Sequence, residues 1–197
     1  MENRILKPLA AEIAAPAVSQ AFRIAGIVVA GSALVAVCSH IAVPLWFTPV
    51  PLTLQPFAVL LLGLLLSPRM AAATLGIYLL EGAAGLPVFA PGFGFGAGIA
   101  HLLGPTGGYL MSYPAAAALV AWMWRRTSRG FAAGILCAAA GDALILLSGF
   151  AWLAAWTHSP AKTALALAVL PFLPGDALKV VAAAGIAKGV QRIRRNR

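Results

Sequence analysis

The stretch that decides the fold is "PLWFTPVPLTLQPFAVLLLGLLLS", residues 44–67. Its first part holds Pro44, Pro49, Pro51 and Pro56. Proline lacks a backbone N–H and clashes with the preceding turn, so no continuous helix runs through these residues. The apolar run that follows, 57–67, is short. A helix rises about 1.5 Å per residue and a bilayer core is about 30 Å thick, so this run cannot cross alone. The spacing therefore predicts a broken or re-entrant segment after the first helix. Irregular backbone at membrane depth persists only where protein buries it or where it lines a cavity. Thr53 and Gln55 bring polar groups to the same stretch. A pocket is expected beside it.

Outward from this segment, the chain reads as an all-α integral membrane protein. Its 197 residues are 61% hydrophobic and 10% charged, against about 25% charged in a soluble domain. That length accommodates a single membrane domain over 1–197, a compact bundle of six transmembrane helices. The other spans are expected near 24–43, 70–86, 107–124 and 130–156, with a last helix firm over 175–190. Residues 1–22 read as a cytoplasmic N-terminal tail, because Glu2, Arg4, Lys7, Glu12 and Pro16 break up any signal-peptide core. Residues 190–197 read as a basic cytoplasmic C-terminal tail. The glycine- and phenylalanine-rich segment 87–106 carries no charge apart from His101, so it is expected to fold back over the bundle.

The net charge of +9 does not mark a nucleic-acid binder, because the cations sit in short clusters between apolar runs. An N-in/C-in topology gathers Arg4, Lys7, Arg23, Arg69, Arg125, Arg126, Arg129, Lys188, Arg192, Arg194, Arg195 and Arg197 on the inner side. Lys162 alone falls outside, and Lys179 falls within the membrane. This is the positive-inside pattern. Small residues recur four apart on the first helix, as in Ala21 and Ala25 or Ser32 and Ala36. Such faces let helices approach closely, and packing within the bundle is the simpler reading over docking of another subunit.

Several chemistries find no support. "GPTGGYL" (104–110) lacks the Lys-Ser/Thr of a phosphate loop. "GFGFGAG" lacks the strand–helix setting of a dinucleotide site. His40, His101 and His158 share no metal-ligand spacing, and Cys38 and Cys137 read as packing residues. No metal, no cofactor and no catalytic residue is expected. Glu81, Asp142, Asp176 and Lys179 remain as intramembrane ionisable groups. Each costs about 2.5–3.5 kcal/mol at mid-bilayer on insertion scales, which makes each a functional candidate. Asp176 and Lys179 share a helix face. First-turn placement already favours Asp176 through the helix dipole, but Lys179 needs another reason. Glu81 is expected to snorkel to the headgroups, and Asp142 to bond across helices or lie nearer the surface. An intramembrane aspartyl protease using Asp142 and Asp176 is the alternative from another class. It is disfavoured because Lys179 would hold Asp176 ionised and prevent a shared proton.

Four pieces in order, "TPVPLTLQPFAVLLLGLLLSPR" (48–69), "YLLEGAAGLPVFA" (78–90), "GPTGGYL" (104–110) and "LPFLPGDALK" (170–179), together resemble the BioY family. These are biotin-specific S components of energy-coupling factor (ECF) transporters. The resemblance implies a multi-pass protein of the bacterial cytoplasmic (inner) membrane, in contact with membrane lipid. It implies a substrate-binding subunit, not an enzyme, that captures biotin from the outer face. It also implies a T-component membrane protein and two cytoplasmic ATPase subunits as partners, with a homo-oligomer left open. The motifs carry over Gly107, Gly108 and Tyr109 of "GGY", and Asp176 and Lys179 of "PGDALK", as binding residues. Thr53 and Gln55 fall near the pocket. Some members carry an Arg directly after the first motif. Leu110 and Met111 stand there here, which moves the ligand carboxylate onto Lys179 and backbone N–H groups. Phe89, Phe93, Phe95 and Tyr109 suit the flanks of the fused rings. An ionised Asp176 suits the two ureido N–H donors. A carrier of another small vitamin is the runner-up.

Overall fold

The computed structural model describes residues 6–91 and 97–196, with side chains from Ser19 onward apart from Arg195. Phe93 and Phe95 lie outside the described residues, as do Arg4 and Arg197. Helix α1 spans Leu6–His40. It starts well inside the segment expected to be a tail, because "LAAEIAA" is made of strong helix formers.

The proline segment is not a broken helix. It forms a small antiparallel ribbon, β1 (Ala42–Val43) paired with β2 (Leu52–Thr53). The prolines fall in the connecting loop and flanks, where missing N–H groups cost no ladder bond. Leu54 N–H donates to Ile41 O at 3.1 Å and fastens the ribbon to the end of α1.

Helix α2 (Gln55–Leu65) starts with Pro56 in its first turn. It is short, as its apolar run required, and sunk in the core: Ala58, Val59 and Leu60 have no exposed surface. Helix α3 (Pro68–Ala83) starts at once, capped by Ser67, whose hydroxyl accepts from Met70 N–H at 3.3 Å. A one-turn α4 (Ile99–Leu102) precedes α5 (Gly107–Arg125). Helix α6 runs over Phe131–Thr157 and ends at His158 in a left-handed conformation, φ 51°. Then come α7 (Ala161–Ala168) and α8 (Leu173–Arg195), bent by 49° across Pro171.

Glycines set how closely the helices approach. A Cβ on Gly63 of α2 would lie 2.8 Å from Val120 Cβ and 2.9 Å from the Ala117 carbonyl of α5. A Cβ on Gly141 of α6 would strike Val120 as well. Between α1 and α3, the Ser32 hydroxyl donates to Glu81 Oε2. Glu81 is thus paired across two helices and does not snorkel, because Ser32 lies within reach on the neighbouring helix.

The outside of the bundle is apolar. Val37, Leu80, Leu136, Leu147 and Leu178 are each more than 60% exposed, all within helices. A water-soluble domain does not leave its helices coated this way. Among the described residues, two helices are long and apolar enough to cross a membrane, Ser19–His40 and Phe131–Thr157. The bent α7–α8 pair makes a third.

Candidate functional site

The chain's linkers divide between two ends of the bundle. The ribbon, residues 84–91 after α3 and the α7–α8 break gather at one end. The 66–67 and 126–130 links and the end of α8 gather at the other. At the first end a cavity is enclosed by the ribbon, α2, α5, α6 and α8. Its free volume is about 40 Å³, and it is partly open to the surface.

Asp176 and Lys179 form its charged wall. Asp176 is 3% exposed and Lys179 8%. Lys179 Nζ donates to Asp176 Oδ1 at 2.7 Å. This is the one salt bridge among the described residues. The break before α8 makes the arrangement. Phe172 N–H turns to Val169 O at 3.0 Å instead of continuing α7. Asp176 N–H then donates to Phe172 O at 2.8 Å, so Asp176 sits in the first turn of α8.

The same break leaves the Ala168 carbonyl without its helical donor. The Tyr109 hydroxyl supplies one, at 2.7 Å. This ties α5 to the end of α7 and fixes the ring on the cavity wall, edge-on to Phe172 at 6.2 Å between centroids. The ring is packed hard from behind: a Cβ on Gly149 of α6 would enter it.

Thr53 and Gln55 add further polar groups to the lining. Thr53 Oγ1 donates to Gln55 Oε1 at 3.2 Å, and Gln55 Nε2 donates to Tyr78 OH at 2.5 Å. Tyr78 OH donates on to Val88 O at 2.9 Å. The chain of bonds holds the Gln55 amide in one orientation, with partners that reach through α3 to the loop beyond it. Buried polar groups satisfied in this way stiffen a wall.

The other expected residues fall elsewhere. Gly107 and Gly108 do not line the cavity. A Cβ on Gly107 would run into the Leu102 carbonyl, and one on Gly108 would come 2.6 Å from Ser148 O and closer still to Trp152. Their place is at helix contacts, where Trp152 Nε1 also donates to Gly104 O at 2.8 Å. Phe89 is buried behind the wall, stacked on His101 at 5.1 Å and fitted over Gly82. Asp142 is 7% exposed and outside the lining, and its Oδ1 has no hydrogen-bond partner among the described residues. Through that oxygen it makes no bond across helices.

His101, Thr106, Tyr113 and Phe172 line the cavity and were not foreseen. Tyr113 and Phe172 had a usable signal, each lying one helical turn from an expected residue, Tyr109 or Asp176. His101 had none, since the one-turn helix α4 that carries it leaves no periodic signal in the sequence.

An apolar jacket, a helical bundle and an internal cavity with a buried ion pair define a small membrane protein with a charged internal site. The chain matches the BioY family over residues 10–196 and belongs to it. It is 43% identical to the probable biotin transporter BioY of Pyrococcus horikoshii over 73% of this chain and 82% of that one. It is 35% identical to the biotin transporter BioY of Thermotoga maritima, over 82% and 92%. Its fold is similar to the crystal structure of the S-component for biotin from an ECF-type ABC transporter. The TM-score is 0.80 at 25% identity, covering 88% of this chain and 93% of that one.

Proposed function

We propose that this chain is the biotin-binding S component of an ECF transporter, a substrate-binding subunit without catalytic chemistry of its own. The observation that carries the reading is the buried Asp176–Lys179 pair on the wall of an internal cavity, in a chain of the BioY family. Biotin offers two ureido N–H donors and a carboxylate. In this reading the Asp176 carboxylate accepts from the ureido group, Lys179 takes the ligand carboxylate, and Tyr109 and Phe172 flank the rings. The ligand then replaces the contact that the two side chains make with each other. This removes the cost of leaving either charge unpaired in low dielectric.

The topology belongs to the same proposal. Six crossings with both termini inside are favoured because successive linkers fall at alternate ends of the bundle. The cations Arg69, Arg125, Arg126, Arg129, Arg192 and Arg194 fall at the end away from the cavity. The cavity then opens outward in the cytoplasmic membrane, and the basic end meets the cytoplasm. A T component and two ATPase subunits supply the energy, since the sequence carries no phosphate-binding loop. The protease reading gains nothing from the geometry, because Asp176 is held by Lys179 and Asp142 is outside the cavity.

Calorimetric titration of the detergent-purified chain with biotin tests the function, with Lys179→Ala alongside. Saturable one-to-one binding that the substitution weakens is expected. Tight binding unchanged in Lys179→Ala would move the carboxylate contact to another group. Folded wild type that does not bind biotin would leave another small vitamin as the ligand.

A further inference from the structure

At the end of the bundle away from the ligand cavity, a second cleft opens between the ends of α2, α5 and α8. It offers about 490 Å³ of free volume and is open to the surroundings. Tyr109 and Arg125 lie on one helix about 24 Å apart along its axis, so the two cavities are separate. The cleft has two unlike surfaces. Its floor is apolar, formed by Leu64, Leu65, Leu66 and Val190 with the Trp124 indole. Its rim is cationic and hydroxylic, with Arg125, Arg129, Arg194, Ser67 and Ser128.

The rim charges are uncompensated within the described residues. No salt bridge reaches Arg125, Arg129 or Arg194, whose side chains are exposed, and the chain as a whole has only five carboxylates against fourteen cations. Part of the rim is held in shape. With its oxygen turned to accept from Trp124 Nε1 at 3.2 Å, the Gln191 amide donates to Arg129 O at 3.2 Å. That bond ties α8 to the 126–130 link. Arg129 itself takes a left-handed backbone conformation, φ 57°, with its N–H donating to Thr127 Oγ1 at 3.2 Å. A non-glycine residue keeps such a conformation only when its surroundings specify it.

We propose that this cleft is a binding site for the phosphate headgroup of an anionic phospholipid. The three guanidinium groups and the two serine hydroxyls take the phosphate oxygens, and the start of an acyl chain lies on the leucine floor. Arginine forks match phosphate geometry. A free phosphate would use the rim and leave the floor unoccupied. An acidic protein segment would use the rim and has no need of a leucine-lined recess. Basic recesses between helices at the membrane boundary are a recognised setting for anionic headgroups. The site is independent of the biotin assignment.

The test is native mass spectrometry of the full chain in detergent, titrated with phosphatidylglycerol or phosphatidylcholine, with inorganic phosphate as competitor. The variant is Arg125→Gln/Arg129→Gln/Arg194→Gln. The control, Arg23→Gln/Arg69→Gln/Lys188→Gln, removes the same charge outside the cleft. Biotin titration of each reports folding separately. The expected result is selective retention of phosphatidylglycerol, about 100-fold weaker in the cleft variant and little changed in the control. Equal loss in both variants would reduce the effect to net charge and overturn the site. Equal retention of phosphatidylcholine, or displacement by inorganic phosphate at matched concentration, would overturn the lipid assignment. Unchanged lipid retention with lost assembly onto the energy-coupling subunits would make the cleft a protein-docking surface instead.

Discussion

Lys179 and Asp176 sit 2.7 Å apart with almost no exposed surface, so neither can lose the other cheaply. Removing one partner of a buried pair leaves an uncompensated charge, at a cost of about 3–5 kcal/mol. Asp176→Asn keeps the shape and removes the charge. A hydrogen bond to a charged group contributes about 1.5–3 kcal/mol, so biotin affinity should fall about 10- to 100-fold in titration. Wild-type affinity would rule Asp176 out as the ureido acceptor. Tyr109 is open to a subtler test from behind. Gly149→Ala drives a methyl group into its ring, displaces it from the wall and breaks its bond to Ala168 O. Biotin binding should weaken by about tenfold or more although the new methyl touches no ligand. An unchanged affinity would show that the ring takes no part in holding the ligand. At this scale the sequence was informative where charge was unusual. A lysine in an apolar helix has few explanations, so the ion pair could be read directly. Gly107 and Gly108 could not be placed, because a glycine at a ligand and a glycine at a helix contact look alike in sequence.

Helix α2 is too short to span a bilayer and is buried along most of its length. It is therefore held by its neighbours and not by lipid. Between membrane helices close packing replaces the hydrophobic effect as the main attraction, which makes small residues at contacts decisive. Gly63 meets both Val120 and the backbone of Ala117. A backbone carbonyl cannot swing aside as a side-chain tip can. Gly63→Ala should force α2 and α5 apart and destabilise the protein by about 1–3 kcal/mol, read as earlier loss of helicity on heating in detergent. Gly26→Ala, where a Cβ meets nothing within 4 Å, is the matched control and should unfold with wild type. Equal stability of the two variants would mean that the α2–α5 contact relaxes without cost. The spans expected at 70–86, 107–124 and 130–156 fall close to α3, α5 and α6, because long apolar runs mark them, whereas the short helices α4 and α7 were not foreseen. The β-ribbon was not legible. The prolines excluded a helix there, but pairing of Ala42 with Thr53 depends on where α1 delivers the chain, which local sequence does not record.

Across the whole molecule, polarity is sorted along the bundle axis more than between inside and outside. Apolar side chains face outward along the helices, the buried ion pair lies toward one end, and the arginines crowd the other. A protein folding in water sorts the opposite way, with apolar groups collected within. This axial sorting is what composition could reveal, since a charge bias between alternate loops survives even where individual helix ends are misjudged. It also makes the orientation testable with single cysteines. Cys38 and Cys137 are buried, so they should stay silent to a bulky membrane-impermeant maleimide. Thr163→Cys places an exposed thiol on α7 beside Lys162, at the cavity end. Ser128→Cys places one in the α5–α6 link, at the basic end. With the cavity facing outward, Thr163→Cys is labelled in intact cells and Ser128→Cys only after the membrane is opened. The reverse pattern would turn the cavity inward and remove capture from outside. Labelling of both in intact cells would place the two ends on one side and remove the six-crossing topology itself.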